Sequence, residues 1–381
     1  MNRGLRGKIL AVLLALFAGG TAAPAREWLV YFATYTGVQS QGIYVSRLDD
    51  RTGKLTPPEL AAETPSPCYL AVSPDEKFIY SADSVAMFDG EKAGSVSAFA
   101  INPSSGLLKL LNRKSSGGSG PCHVSVDATG RVLLAANYGA GSVKSFRLNP
   151  DGSIGSEGSY IRHQGAGANP NRQAAAHAHF ICADPSNHFA LACDLGADKV
   201  VVYKLNGADA RLVESSFAPA PPGAGPRHLA FSPDGQFARA ANELGCSVTT
   251  FAWNSATGTL VPVETVSALP PDAKLDPAFT AAEIVTAGHY VYVSLRGHDS
   301  VSVFRAHARS GRLALVQNLP ARGNVPRGLG VDPAGRWLIV CNQKSGNVVE
   351  FAIDPETGKL SPTGQELKLS QPVDVKFIHR Q

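Results

Sequence analysis

The sequence predicts an all-β chain closed into a seven-bladed β-propeller, with the last blade completed by strands from both termini. Three observations predict it. Aromatic and β-branched residues fall in short runs broken by 38 Gly and 26 Pro, and no apolar stretch keeps a helical period for long. A unit made of four short strands recurs roughly every 50 residues, the length of one propeller blade. Finally, the chain begins with three strands of such a unit and ends with the missing fourth, so joining them leaves no open sheet edge.

The repeat is clearest from Gly225 (GPRHLAFSPDGQFARAANELGCSVTTFAWNSATGTL) and from Val325 (VPRGLGVDPAGRWLIVCNQKSGNVVEFAIDPETGKL). Each unit has a Pro, an alternating apolar run, a Pro-Asp/Ala-Gly turn and a second apolar run. A polar loop with Asn, a Val-x-x-Phe strand and a Gly-Lys/Thr-Leu turn follow. Related copies start at Ser66, Gly120, Ala176 and, more degraded, Thr280. The split unit comprises WLVYFATYTGVQSQGIYVSRL, with its turn at Asp50 to Leu55, and QPVDVKFI near the end. A β-sandwich would not require six in-register copies with a part of a seventh at each terminus.

Residues 1–25 are set apart from the propeller, residues 26–381. Arg3, Arg6 and Lys8 precede an apolar run from Ile9 to Ala18, and Ala23, Pro24 and Ala25 form an A-x-A pattern. This is the layout of a signal peptide. The run is well short of the roughly 20 residues that span a bilayer. Export to the periplasm or beyond is therefore expected, with cleavage near Ala23 to Ala25 and no stable membrane insertion afterwards.

A net charge of +4, from 35 Lys and Arg against 31 Asp and Glu, without a basic run, argues against nucleic acid as a partner. Cys68, Cys122, Cys182, Cys193, Cys246 and Cys341 are spread thinly and mostly inside apolar runs, a pattern of small buried hydrophobes rather than of a disulfide framework. The chain is expected to be monomeric.

In a propeller blade the first strand lies nearest the axis and the second returns beside it. The start of the first and the end of the second therefore share one face, at one mouth of the channel. Counting six residues back from the turn Pro or its equivalent gives a first ring of Cys68, Cys122, His179, Arg227 and Arg327, with Val373 in the closing blade. The loop after the second strand gives a second ring of Tyr35, Tyr138, Leu195, Glu243, Arg296 and Gln343. These positions repeat in place but not in chemistry, which points to function, and their side chains are expected to face solvent in the channel.

Each candidate has a structural alternative. His177 and His179 form H-x-H, with i and i+2 on one side of a strand, but a metal needs a third ligand and only Glu243 offers itself, so no metal or other cofactor is expected. Glu243 and Arg227 face each other across a hairpin and can serve as a structural ion pair. Arg296 can be a solvated loop cation. His123 and His228, one residue past the ring, are expected to point toward the neighbouring sheet as packing or hydrogen-bonding residues. Asp234 belongs to the turn.

With H-A-H at His177, D-L-G-A-D at Asp194, G-P-R-H at Gly225, N-E-L at Asn242, R-G-H-D-S at Arg296 and P-R-G at Pro326, the sequence resembles the seven-bladed lactonase family, from Trp28 to Ile378. That family includes propeller-type 6-phosphogluconolactonase and fungal carboxymuconate cyclase. The resemblance implies that His179, Arg227, Glu243 and Arg296 occupy its positions for catalysis and substrate anion binding. Lactone hydrolysis then uses His179 or Glu243 as general base toward water. Arg227 and Arg296 stabilise the oxyanion or hold an anionic group. Arg327 and Gln343 are the candidates for specificity, with His177 and Tyr138 as further substrate-binding residues. The expected partner is a small lactone or anionic sugar, and an exported member would meet an unphosphorylated sugar lactone or another cyclic ester. A lactonizing cycloisomerase and a non-catalytic binding propeller are the alternatives.

Overall fold

The structure, a computed structural model, describes residues 27–379. The expected signal peptide, residues 1–25, lies outside the described residues. Among the described residues, twenty-eight strands form seven four-stranded antiparallel sheets. Blades 1 to 6 span residues 67–115, 121–162, 178–219, 226–267, 280–320 and 326–368. Blade 7 takes its innermost strand, Pro372–His379, from the end of the chain and the other three, Glu27–Thr34, Gly42–Asp49 and Glu59–Glu63, from its beginning. Val30 registers opposite Phe377 and Phe32 opposite Val375. The predicted closure is the one observed.

Packing between blades holds the ring together. On one side of blade 7, Leu29, Tyr31 and Ile43 pack with Leu70, Ile79 and Phe99 of blade 1; on the other, Trp28, Val30 and Phe32 pack with Ile339, Cys341 and Val348 of blade 6. Side chains of this size contribute about 1.5–3 kcal/mol each when fully buried. A second contact repeats around the ring. Gly258 of blade 4, in a turn with φ of 68°, leaves room for the ring of Phe189 in blade 3, and a Cβ there would fall 2.2 Å from that ring. The Asp234 turn forms as expected, with Ser232 Oγ donating to Asp234 and accepting from Phe237 N–H. All six cysteines are free thiols.

One irregularity positions the functional residues. In the first hairpin of blades 1, 2, 3, 4 and 6 the register slips at Cys68, Cys122, His179, Arg227 and Arg327, each an extra residue in the innermost strand. Val373 takes the same place in blade 7. Blade 5 slips between Ala281 and Ile284, so Ala282 and Glu283 occupy the irregularity. A β-bulge bends its strand and re-aims side chains. Here it turns the bulged residue toward the next blade: Cys68 Sγ reaches Pro121 O, and Arg227 Nη1 donates to Ala282 O at 2.7 Å.

His123 and His228 meet the neighbouring blade as expected: Ile181 N–H donates to His123 Nδ1 at 3.4 Å, and His228 Nδ1 lies 2.9 Å from Glu283 Oε1. They also turn inward. The His123 ring lies 4.2 Å from Tyr69, 4.2 Å from Phe180 and 5.3 Å from His228, in blades 1, 3 and 4. Only the axis is common to these blades, so both histidines line the central channel.

Candidate active site

At the mouth, the two predicted rings meet over Glu243. This residue follows the second strand of blade 4, Phe237–Asn242, and its N–H donates to Gly225 O at 2.7 Å, which fixes the loop. Its carboxylate meets three guanidinium groups: Oε2 lies 3.1 Å from Arg227 Nε and 2.8 Å from Arg296 Nη2, and Oε1 lies 2.6 Å from Arg172 Nη2. Arg296, at the end of the second strand of blade 5, also donates to Ala281 O at 3.2 Å. It is a member of the cluster rather than a solvated loop cation.

These residues do not face solvent as expected. Arg227 is 2% exposed, Glu243 4% and His179 5%. The closed contacts of the bulged strands exclude water here, and burial raises the stakes of every charge. Burial pushes the Glu243 carboxyl up, but Arg296, Arg227 and Arg172 together hold it well below the usual carboxylate range. Burial, with Arg296 and Arg327 alongside, pulls Arg227 down to about 10, so it stays cationic at neutral pH. Burial and the field of Arg227 hold the His179 imidazole well below its ordinary value, so it is neutral. Its Nδ1 is buried without a hydrogen-bond partner.

The other predicted residues surround this centre. Arg327 stands over the Tyr35 ring, 5.6 Å from its centroid, with no carboxylate within 4.0 Å among the described residues. His177 stacks on Tyr138 with centroids 4.4 Å apart, its Nδ1 is 2.9 Å from Tyr138 O, and His179 meets the same tyrosine edge-on at 5.5 Å. Gln343 N–H donates to Val325 O at 2.9 Å, the counterpart of the Glu243 loop bond. Leu195 is buried. No group of three His, Cys, Asp or Glu suited to a metal occurs among the described residues.

Arg172 was missed from sequence. It lies in residues 163–177, the crossover from blade 2 to blade 3, which is long beside the crossovers 116–120, 321–325 and 369–371. That extra length was the signal available. Gln173, fully buried, anchors the segment through Leu195 O at 2.8 Å and Asp198 Oδ1 at 2.7 Å. Arg172 is thereby held over Glu243, with Tyr138 Oη 3.4 Å away. The mouth thus gathers four guanidinium groups and one carboxylate beside a neutral imidazole, an arrangement able to accept a proton and to stabilise developing negative charge.

Residues 29–377 match the family model described as Lactonase, 7-bladed beta-propeller. A 6-phosphogluconolactonase of Bacillus subtilis is 38% identical over 354 residues, covering 93% of this chain and 99% of that protein. One from Formosa agariphila is 31% identical over 336 residues, covering 86% of this chain and 92% of that protein. The structure of a periplasmic gluconolactonase from Pseudomonas aeruginosa superposes with a TM-score of 0.86 at 31% identity, over 93% of this chain and all of that one. With its fold, its ordered mouth residues and these relatives, the chain belongs to the seven-bladed β-propeller lactonase family.

Proposed function

We propose that the protein hydrolyses a sugar lactone at the arginine-lined mouth, with His179 as general base. The division of labour between His179 and Glu243 supports this most directly. A carboxylate engaged by three guanidinium groups and held well below its usual range is a poor proton acceptor. Burial and Arg227 lower the proton affinity of the neighbouring His179 as well, but this neutral imidazole has no ionic partner among the described residues and its Nδ1 has no hydrogen-bond partner, so it is not tied up as Glu243 is. Glu243 then serves to hold Arg227 and Arg296 in place.

In this mechanism a water molecule attacks the lactone carbonyl carbon as His179 takes its proton. The carbonyl π electrons move onto oxygen, which the guanidinium N–H groups of the cluster stabilise. Collapse of the tetrahedral intermediate breaks the ring C–O bond, and the leaving alkoxide takes the proton back from the imidazolium. The product is an open-chain hydroxy acid, which ionises to a carboxylate that the arginines also suit. General-base assistance contributes roughly 10²- to 10⁴-fold, and a single oxyanion donor about 10²- to 10³-fold. Arg327, without an ionic partner, contributes grip on an anionic or polar part of the substrate.

The activities of the relatives, 6-phosphogluconolactonase and gluconolactonase, support a sugar lactone. The N-terminal basic, apolar and A-x-A pattern supports export, and with it an unphosphorylated substrate. Two experiments test this. Purified mature protein is assayed by pH-stat against phosphorylated and unphosphorylated sugar lactones, with His179→Ala as control. Turnover of at least one lactone that falls by 10²-fold or more in a folded His179→Ala is expected; full activity in that variant overturns the role of His179. N-terminal sequencing of the protein recovered from a bacterial host should begin near Arg26, and an intact Met1 on cytoplasmic protein would overturn export.

A further inference from the structure

Blade 4 departs from its six sister blades at one buried position. By strand register, Arg239 corresponds to Tyr31, Tyr80, Leu134, Leu191, Tyr292 and Ile339. All seven are buried, and the other six are neutral. The three tyrosines at this rank donate their hydroxyl to a turn carbonyl of the next blade, at Gly106, Gly152 and Gly358. Arg239 makes no such bond. It is 2% exposed, its Nε and Nη1 are buried without a hydrogen-bond partner, and no carboxylate lies within 4.0 Å of it among the described residues. Thr250, registered directly opposite, also has a buried hydroxyl without a partner.

A buried guanidinium with neither a counter-ion nor a full set of acceptors is costly. Arg239 lines a cavity of ≈ 260 Å³ between blades 4 and 5, together with Ser232, Asp234, Phe237 and His289. The cavity opens at the Ser232–Phe237 and Gly288–His289 turns, the face away from the arginine mouth. It adjoins a cleft lined by His289, Arg305, His307, Arg309 and Arg312, with no acidic residue in its lining. The nearby carboxylates are engaged elsewhere. Asp234 accepts from Ser232 Oγ and Gln236 N–H, while Glu264 accepts from Leu313 N–H and lies 3.7 Å from Arg312.

We propose that the cavity between blades 4 and 5 binds a small oxyanion of the phosphate type, with Arg239 as its buried cationic wall. The forked guanidinium suits such an anion, and the basic rim attracts it from solution. Burial pulls the Arg239 guanidinium below its ordinary value against the opposing pull of Asp234 and Glu264.

Calorimetric titration with inorganic phosphate, at ionic strength held constant with chloride, tests the site. Because the mouth arginines can also take phosphate, three proteins are compared: the wild type, Arg239→Leu and Arg327→Ala. Leucine is already the residue of blades 2 and 3 at this rank, so Arg239→Leu should fold. It should lose one phosphate per chain, or bind it at least tenfold more weakly, keep its lactone turnover, and melt higher than the wild type in phosphate-free buffer. Arg327→Ala should retain that phosphate. Arg239→Lys, which keeps the charge without the fork, should bind several-fold more weakly than the wild type and serves if the leucine variant does not fold. Tighter binding of glucose 6-phosphate than of phosphate would assign the source to an ester, and weaker binding to the free ion. Equal stoichiometry and affinity for phosphate in the wild type and the Arg239 variants would overturn the site.

Discussion

Arg296 of blade 5 places its Nη2 2.8 Å from Glu243 Oε2 of blade 4, on the same carboxylate oxygen that Arg227 Nε approaches at 3.1 Å. One buried carboxylate oxygen thus sets the separation of two guanidinium groups that belong to different blades. Replacing Glu243 by Gln removes the charge that holds them, so kcat for the lactone is expected to fall by roughly 10²-fold through misplaced oxyanion donors. Because the pair is buried, stability should fall too, by about 3–5 kcal/mol. A stopped-flow or pH-stat rate together with a denaturant melt checks both, and an unchanged melting curve would contradict the burial that the structure assigns to this pair.

Arg327 differs from its neighbours in having an aromatic platform, Tyr35, and no ionic partner. Arg327→Ala should therefore raise KM by roughly ten- to a hundredfold, the worth of a charge-assisted hydrogen bond, with kcat largely kept. A fall in kcat at unchanged KM would instead place Arg327 among the groups that act only in the transition state.

Below the mouth, the channel carries a second set of charges. His228 Nδ1 is 2.9 Å from Glu283 Oε1, and Lys376 pairs with Asp374 at 2.7 Å while lying over the Tyr69 ring. Burial raises Glu283 to about 7 against the pull of Lys376, Arg227 and Arg327, and raises Asp374 to about 6. A carboxyl whose folded value lies above its unfolded one stabilises the fold most at low pH, and that contribution is lost as pH rises through the folded value. Glu283→Gln should flatten the dependence of stability on pH between about 4.5 and 7, by a few kcal/mol at about 1.4 kcal/mol per pKa unit. Denaturant melts at pH 5 and pH 8 measure it; a pH slope in this window identical to the wild type would refute the assignment to Glu283.

Deleting the residues after Ser370 removes the innermost strand of blade 7, together with the bond from Leu70 N–H to Asp374 Oδ2 at 2.8 Å. The strand Glu27–Thr34 would be left as an open edge at the axis. Aggregation or a markedly lower melting temperature is expected by light scattering and calorimetry. A soluble truncated protein that melts like the wild type would show that ring closure does not depend on this strand.

The repeat phase, the seven blades and the terminal closure were legible from the sequence because they rest on local signals. Apolar alternation, Pro-Asp-Gly turns and the Gly of the outer turn act within a few residues, and a closed ring follows once each strand is counted. The identities of His179, Arg227, Glu243 and Arg296 as mouth residues were legible for the same reason: each holds a fixed place in its own repeat. What the tertiary structure alone decided depends on distance between blades. The irregularity in each innermost strand re-aims the residues beside it, so His123 and His228 line the channel as well as meeting the neighbouring blade. Arg172 reaches Glu243 from a crossover that belongs to no repeat, carried there by the buried anchor of Gln173. The burial of His179 and Glu243, and the field that the nearby arginines exert on both, also came from the tertiary structure. Such fields fall with separation and grow with desolvation, and neither quantity is written in the order of residues along one strand.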